Sequence, residues 1–245
     1  MSRIQWDKTG DHLYETGVDR GVLFISSGGS YTAGVPWNGL TAVNESSSGG
    51  ESSKVYANNG NYLTQLSLEE LGLTIEAYTY PTEFLKCLGK LAVHPGITIR
   101  QQKPKKFGLT YRSLVGNDNE GNNHSYVIHI VYGCSVTPSE ETHNTVNEST
   151  DISPLSWNVS TTPIVADDYL FSSINLPVLK FKEAGLMNVV REIEDLLYGT
   201  DETTSELPSY EQLSNIIYKG RYWLDSNGDY VLDSEGNRIE TFVVK

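Results

Sequence analysis

Residues 37–84 contain the clearest strand signal in the chain, beginning with WNGLTAVNES (37–46) and ending with LGLTIEAYTYPTEF (71–84). In the second segment Leu71, Leu73, Ile75 and Ala77 alternate with Thr74, Glu76 and Tyr78. Alternation of apolar and polar side chains is the period of a half-buried β-strand. We therefore predict strands over 35–43 and 71–77, each with one face on a core.

The two strands are separated by a polar tract, since no apolar residue occurs from Asn44 to Lys54. Such a tract cannot bury enough surface to fold by itself. We predict that this tract projects as a long polar arm and that the chain returns as a strand over 55–63. Because long loops in compact domains are usually functional or disordered, we expect this one to reach another molecule.

The bulk composition is that of a globular protein, with 38% hydrophobic and 20% charged residues in a chain of 245. The net charge is −13 and the pI about 4.8, which argues against a clamp that binds nucleic acid through its phosphates. Fixed negative charge suits a conduit that DNA slides past, although solubility alone also explains it. No signal-peptide pattern and no apolar run of about 20 residues is present, so we expect a cytoplasmic product without membrane insertion.

The rest of the chain predicts a mainly β protein: an antiparallel β-sandwich or partly closed barrel with a flanking helix. Strands are predicted over 21–26, 96–102, 107–115, 125–134, 152–162 and 175–182, with a basic turn at 103–106. We expect Trp157 in the core, Cys87 and Cys134 as buried thiols, and His129 as a satisfied core side chain.

Division into parts follows from composition and periodicity. We predict an N-terminal arm over 1–20, a β domain over 21–199 with a short helix at 81–88 and a helix at 184–198, and a linker over 200–207. Residues 208–245 read as a small appendage, a helix followed by a three-stranded meander from Tyr222 to Val244 with turns at Gly228 and Gly236.

No pattern of residues predicts a catalytic, cofactor or metal site. The five histidines have no metal-ligand spacing, and no nucleophile elbow, phosphate loop or dinucleotide fingerprint occurs. Asp225-Ser-Asn-Gly228-Asp differs from a calcium loop because glycine is fourth rather than sixth. We therefore predict a non-enzymatic protein.

An ordered series of blocks resembles the major tail proteins (tail tube proteins) of siphophages, particularly those of Gram-positive bacteria. The resemblance covers about residues 1 to 200, and the blocks that carry it include LTAVNES (40–46), IEAYTYPTEF (75–84), KKFGLTYR (105–112), HIVYGCSVTPSE (129–140) and SWNVSTTP (156–163). The resemblance implies a β-sandwich subunit of a virion tail, assembled in the host cytoplasm into stacked hexameric rings. The tube would conduct viral DNA during ejection, and its partners would be tape measure, distal tail and tail terminator proteins.

The resemblance also assigns roles to residues. The 44–60 segment would be the loop that contacts an adjacent subunit or ring, ordered on assembly, through Asn44, Glu45, Ser46, Gly49, Gly50, Glu51, Lys54 and Tyr56. Glu76 is a candidate for a carboxylate that faces the channel.

Three alternatives stay open at the level of sequence. Abundant Tyr, Asn, Ser and Gly are also typical of a secreted carbohydrate-binding or adhesin β-sandwich, which would need export and remain monomeric. A phage hydrolase would need a nucleophile or metal constellation. The inner tube of a contractile tail or a secretion needle would share the fold and differ by a sheath partner.

Overall fold

The structure is a computed structural model that describes residues 6–138 and 154–220. The predicted meander at 222–244 lies outside the described residues. Within them the chain forms fourteen strands, one 3-10 helix at Thr82–Lys86 and three α-helices. The strands are β1 Tyr14–Ile25, β2 Val35–Trp37, β3 Leu40–Gly49, β4 Ser52–Ala57, β5 Gly60–Leu66, β6 Glu69–Ala77, β7 Leu91–His94, β8 Ile97–Ile99, β9 Phe107–Asn117, β10 Gly121–Val136, β11 Leu155–Thr161, β12 Ile164–Ala166, β13 Tyr169–Phe171 and β14 Ser173–Pro177. The helices are α1 Val178–Glu183, α2 Met187–Tyr198 and α3 Tyr210–Gly220.

The main sheet has the strand order β2-β1-β9-β10-β11-β6-β3, with β14 beside the middle of β10, and every pairing in it is antiparallel. Register shifts in β1 and β10 allow these long strands to bend. The sheet is not closed, because β2 and β3 are terminal strands that do not pair with each other. The predicted fold class, mainly β with an antiparallel and partly closed sheet, is confirmed.

The first core lies between the two halves of this folded sheet. Its centre is an aromatic cluster in which the Phe84 ring is 4.6 Å from Trp37, 5.4 Å from Trp157 and 5.6 Å from Phe107. Trp157 is buried, as the sequence predicts, and so are both cysteine thiols. Burial raises the pKa of Cys87 to about 12, so this thiol behaves as a small hydrophobe.

A second core lies on the opposite face of β1 and β10, where the three helices pack. Ile128, Ile130 and Tyr132 of β10 contribute to it, together with Ile193 of α2 and Leu213 of α3. The second half of β1, the first half of β9 and the segment Ile128–Cys134 of β10 are therefore covered on both faces and form the middle layer of the molecule.

Several predicted boundaries differ from the structure. Residues 14–20 are not a free arm, since they form the first half of β1 and pair with β9. The helix predicted over 184–198 is present as α2 but begins later, at Met187, because Gly185 with φ 69° follows the end of α1 and separates the two helices. The strand predicted over 175–182 stops at Pro177, and α1 begins in its place. The short helix at 81–88 is a 3-10 turn over Thr82–Lys86.

The predicted linker at 200–207 is also wrong, because its second half is fixed to the body. The Ala33 amide donates to the Ser205 carbonyl at 2.9 Å, and the Leu207 amide donates to the Tyr31 carbonyl at 2.9 Å. The Leu207 side chain is buried in the second core, and the Tyr132 hydroxyl donates to the Pro208 carbonyl at 2.7 Å. Helix α3 is consequently part of the body rather than of an appendage.

Candidate assembly surface

The segment predicted as a projecting loop is regular structure. Strand β3 continues through the serine tract to Gly49 and pairs with β6 along its whole length. Gly49 has φ 85°, and a side chain there would meet the Leu68 carbonyl oxygen, so the sharp exit from β3 requires glycine. The chain then forms a hairpin of β4 and β5, with a tight Asn58-Asn59 turn in which both residues have positive φ.

The β4–β5 hairpin projects from the body with every one of its residues exposed. Val55 and Leu63 are cross-strand partners, and Tyr56 and Tyr62 are 68% and 71% exposed. It forms a separate two-stranded sheet, an arrangement that is marginally stable alone in water. Exposed large apolar side chains concentrated on one element are typical of an interaction surface.

A second exposed hairpin, β7–β8, was not predicted. Leu91 pairs with Ile99, and both are about two-fifths exposed, while Val93 and Ile97 nearby are about half exposed. The predicted strand over 96–102 is shorter here and pairs with β7 rather than across the basic turn with β9. The signal in the sequence was the alternation of Leu91 and Val93, then Pro95-Gly96, then Ile97 and Ile99.

The eight residues assigned to the contact loop occupy three places. Asn44, Glu45 and Ser46 lie in β3 within the main sheet, and Gly49, Gly50 and Glu51 lie at the base of the hairpin. Lys54 and Tyr56 lie in β4, where Tyr56 is strongly exposed. Only these last two are on the projecting hairpin itself.

Glu45 belongs to the body, because its carboxylate accepts a hydrogen bond from the Tyr111 hydroxyl at 2.6 Å. Burial raises the pKa of Tyr111, and the Glu45 carboxylate raises it further because it favours the neutral phenol. This bond ties β3 to β9 across the interior of the sheet.

The Glu45–Tyr111 pair opens onto a polar cleft of about 410 Å³ between β1 and β3, where the sheet fails to close. His129 stacks on Tyr111 with ring centroids 4.5 Å apart, and its Nε2 is 2.7 Å from the Ser113 hydroxyl. Its Nδ1 is 2.9 Å from Asn175 Oδ1, so both ring nitrogens have partners. The prediction of a satisfied core histidine is confirmed.

The side chains of Ser113, His129 and Asn175 are within hydrogen-bond distance in the order hydroxyl, base and orienting amide, as in a catalytic triad. The Ser113 hydroxyl also bonds the Glu15 carboxylate, which holds its proton away from the imidazole. The cluster therefore satisfies the hydrogen bonds of polar side chains at the cleft between β1 and β3. Sequence reasoning missed it, because the four residues lie on four different strands.

Glu76 lies on the face of β6 that points away from the first core. Its cross-strand neighbours are Ala42 of β3 and Ser156 of β11, and cross-strand partners share one face of a sheet. Thr74 on this face donates to Asn158 at 3.2 Å. The face formed by β3, β6 and β11 is built largely from small polar residues, namely Ala42, Asn44, Ser46, Gly72, Thr74, Glu76, Ser156, Asn158 and Ser160.

No protein-family model matches the chain. No curated protein matches it either. Among solved structures, a chain of the sheath–tube complex of an extracellular contractile injection system (PVC, extended state) is similar with a TM-score of 0.32 and 15% identity, over 64% of this chain and 88% of that one. A chain of the sheath/tube terminator of the same kind of system has a TM-score of 0.29 and 15% identity, over 66% and 97%.

The described residues contain no group of three or more His, Cys, Asp or Glu side chains placed to hold a metal ion. Among the three α-helices that the structure describes, none has both the length and the apolar character to span a bilayer.

Proposed function

We propose that this protein is a structural tail subunit that polymerises into stacked, hexameric rings and so forms a tube for the passage of viral DNA. The observation that supports it best is the β4–β5 hairpin, whose apolar side chains lie outside an otherwise well-packed body. Burying them against another subunit would remove apolar area from water and stabilise a hairpin that is marginal alone.

The open edges of the main sheet favour self-association. Strand β3 is terminal, so one side of its backbone has no strand partner among the described residues. An exposed edge of this length is a ready template for a neighbouring chain, and proteins normally cover or pair it. Closure of a ring would pair or cover this edge in every subunit.

The β3-β6-β11 face has the chemistry that a channel wall needs. Short hydroxyl and amide side chains give a smooth wetted surface, and Glu76 adds negative charge. A cationic wall would bind phosphates and retain DNA, whereas an uncharged or acidic wall releases it. We assign this face to the lumen of the tube.

The assembled tube would belong to a virion built in the host cytoplasm. Its axial partners would be a tape measure protein along the lumen, and distal tail and terminator proteins at the two ends. A contractile inner tube is the nearest alternative, and a sheath protein that co-purifies with the tube would identify it.

The test is electron microscopy and light scattering of the full chain over a concentration series. We expect rings or hollow tubes from the wild type, and folded monomers from a variant in which Ser52–Leu66 is replaced by a short glycine linker. Deleting residues 46–53 instead would remove pairs between β3 and β6, so it would damage the body as well.

The proposal fails if the hairpin-deleted variant still forms normal tubes. It fails also if the wild type stays monomeric with tape measure and distal tail proteins present. That second outcome would favour the surface-binding β-sandwich.

A further inference from the structure

We infer that the β7–β8 hairpin is the docking site for the β4–β5 hairpin of a second copy of this chain. The inference rests on the proposed self-assembly and specifies which surfaces meet. Both hairpins expose apolar pairs that the body leaves uncovered, Val55 with Leu63 on one and Leu91 with Ile99 on the other.

The chain segments that flank the two hairpins carry opposite charge, whereas the hairpins themselves contain few charges: Ser52–Leu66 has Lys54 and no carboxylate, and Leu91–Ile99 has no Lys, Arg, Asp or Glu. Residues 86–106 contain six of the 18 lysines and arginines in the chain and no aspartate or glutamate, although the protein as a whole is strongly acidic. The segment around the other hairpin, 45–70, contains four glutamates and one lysine. Opposite charge next to exposed apolar surface favours contact between the two different hairpins of two copies and disfavours contact between identical hairpins.

A cavity beside the β7–β8 hairpin offers room for a side chain from the partner. It has a volume of about 350 Å³, and its lining includes the apolar residues Leu88, Val136 and Trp157. An aromatic side chain with a polar tip fits such a site, because the ring contacts apolar residues and the hydroxyl stays in water. Tyr56 and Tyr62 are the exposed aromatic residues of the donor hairpin.

Both surfaces are held in position by backbone hydrogen bonds at their bases. The Gln102 amide donates to the Gly89 carbonyl at 2.9 Å below β7–β8. The Ser67 amide donates to the Glu51 carbonyl at 3.1 Å below β4–β5. Because each hairpin is already anchored at its base, docking costs less conformational entropy.

The occupant that we infer is a second copy, because no segment among the described residues of the same chain covers either hairpin. Each hairpin forms its own two-stranded sheet, and both are exposed over all their residues within one subunit. A contact between two different surfaces of identical chains is head-to-tail, which generates a ring or a filament. That is the symmetry a tube requires.

A charge swap tests the inference. The Lys103→Glu/Lys105→Glu variant and the Glu69→Lys/Glu70→Lys variant should each raise the concentration needed for assembly by about tenfold or more, because like charges would then meet. Combining all four substitutions in one chain should restore assembly to within about threefold of the wild type. Assembly is followed by light scattering, and circular dichroism verifies that each variant is folded.

Matched controls place the same charge changes on the helical side of the body. Lys180→Glu/Lys182→Glu and Asp201→Lys/Glu202→Lys alter exposed residues, and we expect wild-type assembly from both. Failure of the fourfold variant to recover, while the wild type assembles and all variants are folded, overturns the inference and leaves the proposed function standing.

Two further outcomes separate the two claims. A wild type that never assembles refutes the proposed function itself. Duplex DNA binding that is lost in the Lys103→Glu/Lys105→Glu variant, with assembly unchanged, would instead assign the basic surface to phosphate and overturn the inference.

Discussion

Strands β10 and β4 both contain valine and tyrosine, which favour strands, yet they have opposite surroundings in the fold. From Ile128 to Cys134, residues of β10 are buried on both faces, because one face meets the folded half of the sheet and the other meets the helices. All six residues of β4 are exposed. Both segments are β-strands, and they differ in whether other elements of the subunit pack over them.

This contrast divides the protein into a body with its own packed cores and two hairpins that no described part of the subunit covers. Strand propensity reflects how well a residue fits a pleated and half-buried surface. The hairpins contain residues with high strand propensity, but these residues are not buried within one subunit. Stability and assembly should therefore respond to different mutations.

The largest expected effect is in the first core. Trp157→Ala should lower the free energy of unfolding by about 3–5 kcal/mol, because it empties a site packed by Trp37, Tyr80 and Phe84. Urea unfolding of the monomer measures it. As the matched control, Tyr62→Ala should change stability by no more than about 0.5 kcal/mol. Equal losses from both would contradict the division.

The sequence predicts the body well because its strands are long and their apolar residues periodic. The segments 71–77 and 107–115 are strands as predicted, and Trp157 is in the core. The predictions were wrong where tertiary packing decides the structure. The 200–207 segment has the composition of a linker, yet Leu207 is buried between Tyr31 and the helices. Tertiary contacts override local polarity there.

The candidate surface was located only in part. The polar tract correctly marks the exposed region, but composition does not reveal that β3 extends to Gly49 by pairing with β6. The pairing is set by a strand more than twenty residues away, so local sequence cannot supply it. Glu45 shows the same limit, since its partner Tyr111 lies 66 residues further on.

An intermediate effect is expected at Glu45, where the body and the projecting region meet. Tyr111→Phe should lower the free energy of unfolding by about 1–2 kcal/mol at neutral pH, since it removes a hydrogen bond to a carboxylate. Equilibrium unfolding in urea measures this loss, with Tyr62→Phe on the hairpin as the control. An equal loss of unfolding free energy from the control would contradict a stabilising role for the Tyr111–Glu45 hydrogen bond in the body.

The same variant predicts a change in pH dependence. The pKa of Tyr111 is raised in the folded state, so its contribution to stability is complete below about pH 10, the pKa of an unfolded tyrosine, and is lost as the pH rises above it. Tyr111→Phe should therefore reduce the alkaline decline in stability. Part of the decline should persist, because burial also raises the pKa of Tyr126 and Tyr132. An unchanged alkaline slope would contradict this assignment.

The smallest effect on stability should come from the hairpin, where assembly gives the informative measurement. In monomers, backbone amides of β4 and β5 should exchange with solvent far faster than those of β10, because local opening exposes no buried side chain there. Assembly should slow exchange in β4, β5, β7 and β8 together and leave β10 unchanged, since only the hairpins gain cover. Hairpin amides as protected as β10 in the monomer would mean that the body itself stabilises them. Protection that increases in β4–β5 alone would instead separate the hairpin from its inferred acceptor, because one docking event must cover both surfaces.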